Sequence, residues 1–148
     1  MSRLLYEKSL SYQGHLIIPF VFTRAAWENI YSYALLSERG YKGEFHKAEN
    51  PAKLYSSNIA EITDIAKEYL QETTEESRDF DYFQNRYTYQ DNLIIIHQQA
   101  GKCFYDHYPP QEIRNVAAPK IFFTPHECLT WVKQGLDKKN RKVGKVSH

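Results

Sequence analysis

The sequence predicts an α+β fold: an antiparallel or mixed sheet, built from an N-terminal hairpin and a C-terminal meander, packed with about three helices. Three observations predict it. Two apolar runs flank a glycine turn near the N-terminus, three strand-like segments follow one another over residues 82–108, and helical stripes lie between and after them. Residues 1–136 read as one globular domain and 137–148 as a basic C-terminal tail.

Leu4–Tyr12 and His15–Phe22 flank Gln13-Gly14, where Gly14 supplies a positive φ, so the chain opens on a β-hairpin. The second run is nearly all apolar, which fits a central strand, whereas Pro19 lacks a ladder donor and favours an edge. Thr23 then stands as an N-cap for a helix to about Arg39, with Trp27, Ile30, Tyr31, Ala34 and Leu35 at helical spacing and Gly40 as its stop. A short strand is expected around Glu44–Lys47. Ser57 or Asn58 caps a second helix, with Glu61 available for a capping box from Asn58, and its buried face is Ile59, Ile62, Ile65, Ala66 and Tyr69.

The meander runs over Tyr82–Tyr89, Leu93–Gln98 and Lys102–Tyr108, joined by turns at 90–92 and 99–101. Lys120–Phe123 reads as a last short strand. Thr124-Pro125-His126-Glu127 is the strongest local signal: threonine caps, proline takes the first helical position, and glutamate reaches back. The third helix then runs to Gln134, with Leu129, Trp131 and Val132 inward and Gly135 as its end. No internal repeat stands out.

At 148 residues and 42% apolar composition the chain can bury a core without staples. It opens on no secretory signal, and its longest apolar run is too short to span a bilayer. Two cysteines, Cys103 and Cys128, fit a cytoplasmic protein with reduced thiols, and two cysteines without C-x-x-C spacing build no zinc site. Net charge is +1 but unevenly spread. Residues 59–92 carry three Lys/Arg against nine Asp/Glu, and residues 93–148 carry nine against four. The tail holds five of those nine, Lys138, Lys139, Arg141, Lys142 and Lys145. A basic face of this kind suits a polyanion.

Residues 80–108 hold eight of the 22 aromatic residues, interleaved with Gln, Asn, Arg and Asp. Tyr87, Tyr89 and Tyr105 with Arg86 and Lys102 are therefore candidate nucleic-acid contacts, through base stacking and phosphate pairing. The same stretch holds a candidate acid–base pair. If Ala100-Gly101 is a two-residue turn, His97 faces Phe104, Ile95 faces Asp106, and His97 and Asp106 become diagonal neighbours. His46 with Glu44 is a second such pair, one residue apart on a strand. Phosphate-loop, dinucleotide, serine-hydrolase and zincin motifs are missing, so no cofactor is expected. The reading is a non-enzymatic accessory or binding subunit of a larger assembly, with RNA or a protein as partner and no membrane. The alternatives are a small metal-independent enzyme, a ribonuclease or group transferase using His97, Asp106, His46 and Glu44, and a protein–protein adaptor whose acidic second helix docks a basic partner.

Overall fold

The computed structural model describes residues 2–43, 45–74 and 81–146, the side chains of 141–146 excepted. The fold is α+β, with two three-stranded antiparallel sheets and, among the described residues, two α-helices rather than three. The chain divides into two compact units, Met1–Gln84 with Pro110–Ile113, and Asn85–Pro109 with Arg114–His148.

In the first unit β1 (Leu10–Tyr12), β2 (His15–Ala25) and β3 (Glu28–Ser37) form a meander in sequence order, and α1 (Ile59–Thr73) packs on it. Gln13 and Gly14, at φ 46° and 75°, make the expected tight turn. β2 is central despite Pro19. The Pro19 carbonyl accepts from Leu5 N–H at 2.9 Å, so the proline nitrogen points to that same edge, beyond the end of β1. The missing donor therefore removes no bond to β3.

The helix expected over residues 23–39 is instead the end of β2 and all of β3. Ile30, Tyr31, Ala34 and Leu35 fit helical spacing, but Tyr31, Tyr33 and Leu35 alternate equally well, and pairing along the whole of β2 decides. Thr23 pairs with Ile30 rather than capping, and Trp27 at the hairpin tip is exposed. The strand expected at 44–47 is a turn over Phe45–Lys47, with Lys47 at φ 61°. Helix α1 starts as predicted: the Asn58 side chain accepts from Glu61 N–H at 3.1 Å. Its inner face is Ile62, Ala66 and Leu70, set against Ile17, Tyr33 and Leu35. Each large apolar side chain so buried contributes about 1.5–3 kcal/mol.

The second unit repeats the plan with β4 (Arg86–Tyr89), β5 (Asn92–Gln99), β6 (Lys102–Tyr108) and α2 (Pro125–Val146). The predicted register holds, with Gln99 opposite Lys102, His97 opposite Phe104 and Ile95 opposite Asp106. Thr124 Oγ1 accepts from Glu127 N–H at 3.1 Å, as a cap should. The expected strand at 120–123 shrinks to a single bridge, Phe122 to Cys103. Gly135 does not end the helix, which continues to Val146. Cys128 and Val132 are buried with Ile94, Ile96, Cys103, Tyr105 and Phe122, while Trp131, expected inward, lies at the margin and is 38% exposed.

The two units are copies of one design, contrary to the expectation of no internal repeat. Ser11-Tyr12-Gln13-Gly14-His15-Leu16-Ile17-Ile18 matches Thr88-Tyr89-Gln90-Asp91-Asn92-Leu93-Ile94-Ile95, each running through a two-residue turn into the central strand. Val21 opposite Tyr31 corresponds to Gln98 opposite Cys103. Tyr31 then bridges to Ser56 just before α1, as Cys103 bridges to Phe122 just before α2. Asn58 and Thr124 cap by the same bond to Glu61 and Glu127. Ile62 and Ala66 correspond to the buried Cys128 and Val132. Lys67 lies 5.9 Å from the Tyr12 ring centre and Lys133 lies 5.2 Å from that of Tyr89. Each turn glutamine meets the end of its own helix, Gln13 accepting from Thr74 and Gln90 from Asn140. Positions that agree between the copies are what the βββα scaffold needs, and positions that disagree are free to serve something else.

Candidate functional site

The first departure from the scaffold is a polar network on the second unit's sheet. His97 Nε2 and Asp106 Oδ2 lie 3.0 Å apart, and the two side chains are 11% and 19% exposed, so the pair is largely shielded from water. The other carboxylate oxygen, Oδ1, accepts from Asn115 Nδ2 at 2.9 Å. Asn115 Oδ1 in turn accepts from the backbone N–H groups of His107 and Ala117. Phe104 lies against the imidazole, ring centres 5.3 Å apart. In the first unit the corresponding positions are Phe20 and Ala34, both buried and apolar. The fold thus has no need of a His–Asp pair here. Such an arrangement fixes an imidazole's orientation, which is what a general base or a specific hydrogen-bonding contact requires.

His107 lies on the opposite face, where its Nε2 meets Asn92 Oδ1 at 2.9 Å. Burial, with Lys139 adding to it, holds its pKa below the ordinary histidine value. Asn92 Nδ2 donates to Gln90 O, a bond that His15 Nδ1 makes with Gln13 O in the first unit, so this contact is scaffold.

The second departure is the outer face of the helices. Asp64, Glu68 and Glu72 on α1 correspond to Thr130, Gln134 and Lys138 on α2, all exposed. The buried faces of the helices agree while their outer faces differ in charge. On α2, positions 138, 141, 142 and 145 follow the i, i+3, i+4, i+7 spacing of one helical face, and Trp131 is seven residues before Lys138 on that same face. Lys120 Nζ lies 4.6 Å from the Trp131 ring centre.

The remaining predicted residues are distributed as follows. Tyr87 is 40% exposed on the α2 side of the sheet, because it pairs with Ile94. Tyr89, on that side too, is packed against the core beneath Lys133 and donates its hydroxyl to Asp137 at 2.7 Å. Tyr105 is buried, and its hydroxyl accepts from Ala118 N–H at 2.9 Å. Lys102 is exposed and Arg86 half-buried, both on the opposite face from Tyr87. Lys138 and Lys139 are exposed, while Arg141, Lys142 and Lys145 belong to α2 with side chains outside the described set. His46 lies in the Phe45–Lys47 turn, its pKa lowered by burial and by Lys47, and Glu44 lies outside the described residues. The strand that was to align Glu44 with His46 does not form.

Asn115 carried no signal in the sequence, since its part depends on a loop folding back onto β6. Among the described residues, no helix is long and apolar enough to cross a membrane, and no group of three or more His, Cys, Asp or Glu side chains is arranged to hold a metal ion. No protein-family model, no curated protein and no solved structure matches this chain.

Proposed function

We propose that this chain is a non-enzymatic binding subunit of a nucleoprotein assembly in the cytoplasm, with RNA as its ligand. The observation that carries the reading is the outer face of α2, where Lys138, Arg141, Lys142 and Lys145 follow one another at helical spacing in line with the exposed Trp131. Cations at that spacing track a phosphate backbone, and a helix holds them there in advance. Where the first copy of the scaffold can be compared, it has Glu72 in the place of Lys138, so the fold does not ask for a basic residue there. Free, buried Cys103 and Cys128 support a reducing compartment.

Binding of a labelled RNA strand, followed by anisotropy over a salt series, tests this. Lys138→Glu with Lys142→Glu should weaken binding and lower the log–log salt slope by about 0.7 for each phosphate no longer neutralised. Undiminished binding by that variant would overturn the assignment to α2, and no binding by the wild type at low salt would overturn the reading altogether.

A second reading is favoured by the His97–Asp106 hydrogen bond, which suits a metal-independent ribonuclease or transferase. Its test is an RNA-cleavage assay. Turnover by the wild type that falls about 100-fold or more in His97→Ala while binding survives would select the enzyme.

A further inference from the structure

We propose that the tip of the β2–β3 hairpin, with Phe22, Trp27 and Tyr55, stacks the unpaired bases of a single strand, so that the ligand of the reading above, on which this rests, is single-stranded rather than duplex. In the second unit the matching hairpin closes at Gln99 opposite Lys102. In the first unit Thr23 opposite Ile30 takes that place, after an irregularity at Phe22, and the hairpin continues through two more pairs, Arg24 to Asn29 and Ala25 to Glu28. The scaffold is complete without this extension, whose turn carries Trp27 and whose base carries Phe22, beside Tyr55 of the loop before α1. Trp27 is 87% exposed, Phe22 56% and Tyr55 42%, so the extension adds little to the core while presenting apolar rings to water.

Two of the rings are held against each other. Phe22 and Tyr55 lie 4.6 Å apart between ring centres. The loop that brings Tyr55 there is tied to β3. The buried Asn50 accepts from Leu54 N–H at 3.2 Å, and its amide donates to Leu54 O and Ser32 Oγ. The next residue, Ser56, is bridged to Tyr31 through both backbone bonds. Trp27 is set in the turn by Ala26, at φ 58°.

The chemistry of the tip selects among occupants. Arg24, three residues before Trp27, and Lys53, two before Tyr55, are both exposed, and cations interleaved along the chain with aromatic residues suit a single strand, whose bases stack while its phosphates pair. A duplex keeps its bases stacked on one another and offers these rings nothing. Glu28, next to Trp27, places a carboxylate at the very tip, which an acyl layer excludes.

The test uses tryptophan emission. Trp131→Phe leaves Trp27 as the sole tryptophan, because the chain has two. This variant is titrated with an oligouridylate, with an RNA duplex of equal length and with phosphatidylcholine/phosphatidylglycerol vesicles. The proposal expects quenching by the single strand without a blue shift, and binding at least tenfold weaker for the duplex. Trp27→Ala and Tyr55→Ala should each weaken single-strand affinity about tenfold, and Trp27→Phe much less. Single-strand binding that is lost in the Lys138→Glu, Lys142→Glu variant but leaves Trp27 emission unmoved would overturn the tip and spare the α2 reading. Equal affinity for duplex, or a blue shift with vesicles alone, would also overturn it. Absence of binding to either nucleic acid would bring down both.

Discussion

Lys133 holds its ammonium 5.2 Å from the centre of the Tyr89 ring, and the hydroxyl of that same tyrosine donates to Asp137, one helical turn further along α2. The ring is thereby fixed to the helix at its face and at its edge. Only the protonated hydroxyl can donate that hydrogen bond to Asp137, which raises its pKa, with the carboxylate's charge adding to the effect. In Asp137→Asn the Tyr89 titration should move down toward the ordinary value near 10.0. Ultraviolet difference titration against a Tyr89→Phe reference reads the shift, and an unmoved curve would show that the hydrogen bond does not persist in solution.

The apolar counterparts Phe20 and Ala34 make a sharper test of the polar network. Asp106→Ala alone leaves His97 and the Asn115 amide without their acceptor, and should destabilise by about 1–3 kcal/mol. His97→Phe combined with Asp106→Ala copies the first unit's solution and should recover most of that loss, because replacing both partners of a shielded hydrogen bond by apolar groups of suitable shape costs little. Urea denaturation of the three variants measures it. A double variant less stable than the single one would mean that the two copies differ here for reasons of packing.

Stability should fall on mild acidification. His107 and His46 both have pKa values lowered in the fold, chiefly by burial, from the ordinary 6.5. The unfolded chain therefore binds protons first as pH falls below about 6.5, and each proton bound there draws the equilibrium toward unfolding. The loss builds up between that value and the lower folded pKa values, and above the unfolded value neither group contributes. Midpoints of chemical denaturation at successive pH values should decline over that window, with a shallower decline in His107→Gln.

Gly135 offers a gain. It lies in mid-helix, and a methyl group added there meets no atom within 4 Å. Gly135→Ala should stabilise the chain by about 0.5–1 kcal/mol through the lower entropy of the unfolded state. A loss of stability on thermal melting would show that the helix does not persist through residue 135.

Local chemistry made much of this legible in advance. The turns at Gln13-Gly14 and Ala100-Gly101, the caps at Asn58 and Thr124, and the register that joins His97 to Asp106 all follow from residues close in sequence. Ile30, Tyr31, Ala34 and Leu35 were illegible because they satisfy two periods at once, and the partner that chose between them, β2, acts through the whole length of its pairing. The repeat escaped because only Ser11–Ile18 and Thr88–Ile95 preserve it as a string. Elsewhere it survives as matching partners, such as Gln13 with Thr74 and Gln90 with Asn140, which no linear scan compares. The hairpin tip was misjudged for the same reason as β3, since a helix would have turned Trp27 inward.

Both thiols of the chain lie in the core of the second unit, and burial pushes that of Cys128 up to about 11. A thiol reagent at neutral pH therefore meets almost no thiolate at Cys128 until that core opens. Because the first unit has no cysteine, the rate of labelling is a clock for the opening of one copy of the scaffold alone. Compared with a probe that follows the whole chain, it tells whether two halves cut to one pattern also come apart as one.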